Sequence, residues 1–87
     1  MNIETVWNNI KLYEGETFYT KRGREYTYSV YSDFLMVNEI KSGRITKNSL
    51  VKTLNVDDPT PGKIGLAGCW GNPYIYGIIT DKRIKGF

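Results

Sequence analysis

Apolar side chains recur at two different periods along this chain, and the switch between them divides its first half. Ile3, Val6, Trp7 and Ile10 fall at i, i+3, i+4 and i+7, a single stripe on an α-helix. Asn2 suits the N-cap, Glu4 the positive helix end and Gly15 the C-terminal stop, and the stripe places Trp7 in the core. From Glu16 the period falls to two. Phe18 and Thr20 alternate with Thr17, Tyr19 and Lys21. Beyond Arg22-Gly23, Tyr26, Tyr28 and Val30 alternate with Thr27, Ser29 and Tyr31. Ser32-Asp33 marks another turn and Phe34-Leu35-Met36-Val37 a third strand. The expected product is an antiparallel three-stranded meander with one apolar face packed on helices, because so small a sheet is marginal alone.

The second half is punctuated differently. Lys41-Ser42-Gly43-Arg44 reads as a loop, and Thr46 as the N-cap of a helix whose Leu50 is stapled by Ile45. Leu50, Val51 and Leu54 form its buried stripe, with an end near Asn55. The connection from Asn55 to Gly71 holds Pro59, Pro61 and four glycines. At that length it is either functional or conceals a short strand at Lys63-Ile64-Gly65-Leu66. Asn72-Pro73 is a helix-start pair, and Ile75, Ile78 and Ile79 fit a helical stripe, so a helix over 73–81 is the preferred reading. A buried strand over Tyr74–Thr80 is its alternative, and Gly77 weakens either. The fold class is α+β: a small antiparallel three-stranded sheet packed against two or three helices. The order is N-terminal helix, meander, middle helix, and C-terminal helix or strand.

Length and composition narrow the function classes. At 87 residues the chain is a single domain, 1–87, and buries only about 60–65% of its unfolded surface. No apolar run approaches the roughly 18–20 residues that cross a bilayer, and Met1 to Thr5 lacks a signal-peptide pattern. Cys69 is alone, which predicts a small, partly buried apolar residue in a reducing cytoplasm and no membrane association. The absence of histidine removes His-dependent triads, Cys-His pairs and histidine metal sites. Asp57-Asp58, directly before Pro59, suits a turn better than acid–base work. The run from Gly62 to Gly68 departs from a phosphate loop, since Lys63 follows its first glycine and no Lys-Ser or Lys-Thr pair opens a helix. A non-catalytic protein with no cofactor and no metal is expected.

Charge then supplies the functional lead. The net charge is only +3, but residues 41–52 carry four cations and no carboxylate. Two more basic clusters, Lys21-Arg22-Gly23-Arg24 and Lys82-Arg83-Ile84-Lys85, adjoin tyrosine-rich segments. The expectation is a nucleic-acid-binding domain, with DNA as the ligand. Lys21, Arg22, Arg24, Lys41, Arg44 and Lys47 would contact phosphates, and Tyr19 or Tyr31 would stack on bases. Tyr26 and Tyr28 would join them if exposed. The Arg44–Ser49 helix start suits a phosphate unless Thr46 already satisfies it. The C-terminal cluster is either a solvated tail or a complement to the negative end of the last helix. The alternative is a protein-interaction module, an inhibitor or adaptor, using an aromatic patch of Trp70, Tyr74 and Tyr76. Monomer and homodimer both remain open.

Gly15, Phe18, Thr20, Gly23, Tyr26-Thr27-Tyr28, Ile45-Thr46-Lys47-Asn48-Ser49 and the stretch from Gly71 to Ile84 together resemble a family of small bacterial and mobile-element α+β domains without an established activity. That resemblance implies a bacterial or phage setting and a helix rather than a strand over residues 72–84. It also makes that region, with its tyrosines, a candidate site.

Overall fold

The Asn2 side chain accepts the Glu4 backbone N–H at 2.7 Å, so helix α1 (Ile3–Leu12) starts where its cap chemistry predicts. In the computed structural model, which describes residues 2–38, 40, 43–56, 58–66 and 71–85, the α1 stripe of Val6, Trp7 and Ile10 is buried. Among the described residues no helix is long and apolar enough to cross a membrane.

The strands form two antiparallel sheets. β1 (Phe18–Tyr19) pairs with β2 (Glu25–Tyr26), and β3 (Tyr28–Val30), β4 (Phe34–Val37) and β5 (Arg44–Thr46) form a three-stranded sheet in that order. The expected meander is corrected in two ways. Its middle strand divides at Thr27, whose carbonyl and hydroxyl both accept hydrogen bonds from Asn38, at 3.0 and 2.9 Å. The third strand of the larger sheet is β5, in a segment expected to be a loop running into a helix cap. Alternation survives the division: Phe18, Tyr26 and Tyr28 are buried, whereas Tyr19 is 51% and Tyr31 53% exposed. Tyr26 and Tyr28 are therefore core residues, not bases' stacking partners. Their hydroxyls donate to the Tyr74 carbonyl at 2.6 Å and the Ile10 carbonyl at 2.7 Å. Burial pushes both phenol pKa values above the ordinary tyrosine range.

Thr46 ends β5 and caps α2 (Lys47–Thr53), accepting the Ser49 N–H at 3.1 Å. Ile45 and Leu50 are buried as the staple requires, but Val51 is 40% exposed and lies off the stripe. Lys63–Leu66 is not a strand. It belongs to helix α3 (Pro61–Leu66), where Thr60 accepts the Lys63 N–H at 3.2 Å and Pro61 takes the first position. Helix α4 (Asn72–Ile79) replaces the expected 73–81. Its N-cap is Gly71 in the left-handed region (φ +75°), and Asn72 instead donates its side-chain N–H to the Pro61 carbonyl at 2.8 Å.

The C-terminal basic cluster is no loose tail, and its cations lie in the last turn of the last helix. It forms a short helix, α5 (Lys82–Lys85), with Ile84 buried. Arg83 lies 4.0 Å over the Phe18 ring, grips both Asp81 carboxylate oxygens at 2.9 Å and donates to the Thr17 carbonyl at 2.9 Å. The Arg83 hydrogen bond to the side chain holds the Asp81 carboxyl below its ordinary range.

One apolar cluster joins every element: Ile10, Phe18, Tyr26, Tyr28, Leu35, Ile45, Leu50, Ile64, Ile75 and Ile84 come from ten successive helices and strands. Helix α4 lies directly on β1 at Gly77. A Cβ placed on Gly77 would overlap the Tyr19 carbonyl oxygen and the Tyr26 hydroxyl. This contact seats the start of α4 opposite the β1–β2 hairpin.

Candidate nucleic-acid interface

The hairpin between β1 and β2 carries three cations in four residues, and its turn is tied to a single threonine. The Thr20 N–H donates to the Arg24 carbonyl at 3.0 Å, its carbonyl accepts the Gly23 N–H at 2.9 Å, and its hydroxyl accepts the Arg24 N–H at 3.1 Å. Gly23 sits at φ +86°, a left-handed conformation that glycine adopts without strain. These bonds all use backbone or the Thr20 hydroxyl. The long side chains of Lys21, Arg22 and Arg24 carry none of the turn and are presented to solvent.

They are presented across a groove. Thr20, Lys21, Arg22 and Arg24 form one wall, and Pro61, Asn72, Pro73 and Tyr74 the other, around an open space of about 750 Å³. The second wall is held together by the Asn72–Pro61 hydrogen bond, which ties the start of α3 to that of α4. The Tyr74 ring meets Tyr26 edge-on at 5.1 Å, with the ring planes at 80°. Lys21 reaches over the Tyr76 ring at 5.9 Å from its centroid. None of the lining residues is acidic, and no carboxylate among the described residues pairs with Lys21, Arg22 or Arg24. The first turn of α4, where the helix dipole is positive, adds to the same field. A groove with three uncompensated cations, an aromatic ring and polar amide groups is suited to an anionic chain with planar substituents.

Two sets of residues that the sequence keeps apart thus meet here. The hairpin cations were expected to touch phosphates, and Tyr74 and Tyr76 to form a separate protein-binding patch. Tyr74 lines the cationic groove and Tyr76, half-buried, packs under Lys21. Trp70 and Lys41 lie outside the described residues. Arg44 and Lys47 are not among the groove's lining residues. The Arg44 guanidinium lies 4.2 Å over the Phe34 ring, and Lys47 pairs with Glu4 at 3.4 Å. The start of α2 offers little to a phosphate, because Thr46 occupies the Ser49 N–H and the Asp33 carbonyl takes the Lys47 N–H at 2.9 Å. Pro61 is a lining residue that the sequence does not mark, whereas Asn72 and Pro73 belong to the 72–84 region that the resemblance makes a candidate site. The Asn72-Pro73 helix-start signal was visible, but its position opposite the hairpin is a tertiary fact.

No protein family, curated protein or solved structure matches this chain.

Proposed function

We propose that the protein is a non-catalytic nucleic-acid-binding domain, with DNA as its expected ligand, that takes backbone phosphates between the β1–β2 hairpin and the first turn of α4. The observation that carries this reading is the convergence of Lys21, Arg22 and Arg24 on one groove free of carboxylates. An enclosed small-molecule site is a poorer match, since the space is an open cleft at the surface. Cations held on a rigid hairpin, with stems free to adjust, suit a repeating anion whose phosphates vary in spacing.

Salt dependence tests it. Fluorescence anisotropy of labelled DNA is expected to show affinity falling roughly 20- to 40-fold between about 50 and 200 mM salt, the response to three phosphate contacts. Absent binding at the lower salt, or binding indifferent to salt, would remove the reading.

A further inference from the structure

The outward face of the β3–β4–β5 sheet carries a second arrangement that the groove does not use. Tyr28, Leu35, Val37 and Ile45 turn inward and are buried, and Val30 packs partly against the core beside Leu35. Strand alternation therefore turns Ser29, Phe34, Met36, Arg44 and Thr46 outward. Tyr31 follows β3, and its N–H donates to the Phe34 carbonyl at 2.8 Å. This bond lays the two rings together, with centroids 5.1 Å apart and planes 17° from parallel. Arg44, on the neighbouring strand, covers the Phe34 ring at 4.2 Å. The result is a contiguous stack of Tyr31, Phe34 and Arg44, in which Tyr31 keeps 53% of its surface open.

The chemistry of this stack selects its partner. An exposed ring stacked on a second ring offers its open face to another planar π-system. Arg44 adds a positive charge with no ion-pair partner among the described residues, and no outward strand position carries a carboxylate. A planar group that travels with negative charge meets both requirements, and a nucleotide is such a group. Its base is available to stack only when it is out of a duplex. An acidic peptide would satisfy Arg44 and leave the ring face unused.

We infer that the Tyr31–Phe34–Arg44 face is a base-stacking platform, and that the ligand class of the groove is a single-stranded nucleic acid reaching from one to the other. This rests on the groove being a phosphate site. The seven chain steps from Arg24 to Tyr31 span at most about 23–25 Å, so at most about seven nucleotides, even at the short 3.4 Å rise of a stacked strand, bridge the two. The platform supplies the stacking energy and the groove the salt-sensitive term.

Oligothymidine of about 15 nucleotides, an abasic phosphodiester chain of equal length and a duplex separate the two contributions. The full chain is expected to bind the base-bearing strand about 10-fold more tightly than the abasic one. Tyr31→Ala should erase that preference and leave the salt slope unchanged; Tyr31→Trp should restore or widen it. Melting curves of both variants establish that they fold. Equal affinity for the base-bearing and abasic chains in the wild type overturns the platform, as does a preference untouched by Tyr31→Ala or tighter binding to duplex. Salt-dependent binding of both single strands would leave the groove standing in those cases. Binding to neither strand overturns both.

Discussion

Gly77→Ala is expected to lower the melting temperature by roughly 15 °C, the equivalent of about 3 kcal/mol in a domain of this size. Helix propensity argues the opposite, since alanine in a helix interior is favoured over glycine by about 1 kcal/mol. The two effects have opposite signs, and packing decides. The added methyl would overlap the Tyr19 carbonyl oxygen and the Tyr26 hydroxyl, and the first of these is backbone in a paired strand. Relief requires α4 to lift from β1. That movement would also stretch the hydrogen bond from Tyr26 to the Tyr74 carbonyl, a residue of the same helix. Circular dichroism melting of the variant reads the result directly. An unchanged or higher melting temperature would mean that α4 does not rest on β1 as described, and the groove wall would lose its support.

If the protein binds DNA as proposed, replacing the two hairpin arginines by Arg22→Glu and Arg24→Glu together is expected to abolish that binding at about 50 mM salt. The change exchanges two phosphate-attracting charges for two repelling ones in a groove with only Lys21 left to oppose them. Stability should scarcely move. Both side chains are exposed, neither holds the turn, and substitutions at such positions usually stay within about 0.5 kcal/mol. A melting curve that overlays the wild type, with binding lost, assigns the effect to electrostatics. Retained binding would place the DNA elsewhere on the molecule.

Much of the fold was legible because local chemistry and tertiary structure agree. The Asn2 and Thr46 caps, the α1 stripe and the inward set of Phe18, Tyr26 and Tyr28 all appear where period and capping predict. The errors have local causes too. The division at Thr27 leaves no trace in the alternation, because both sheets bury the same side of the chain; the backbone and side chain of Asn38, both bonded to Thr27, mark it. β5 is three residues long and ends on the Thr46 cap, so the helix signal obscures it. α3 begins with a Thr60-Pro61 start of ordinary kind, but Gly62 and Gly65 lower its helix propensity enough to hide it.

The site was legible only in part. Lys21, Arg22 and Arg24 stand out as a basic turn, and Tyr74 as an aromatic near a helix start. Nothing in either segment tells that some fifty residues apart they face each other. Gly77 makes room for that pairing: it reads in sequence as a weakness in a helix, and in the structure it lies directly on the Tyr19 carbonyl and the Tyr26 hydroxyl. Arg83 shows the reverse error. Its charge counted toward a basic surface, whereas its half-buried guanidinium is engaged by Asp81, Thr17 and Phe18.

The central claim is that the groove between the hairpin and α4 is where nucleic acid binds. Amide chemical-shift mapping of isotope-labelled protein during a DNA titration tests it most directly. The predicted result is a set of shifts centred on Thr20 to Arg24, with Asn72 and Tyr74 moving in step. Shifts confined to α1 or α2, with the hairpin amides unmoved, would contradict it.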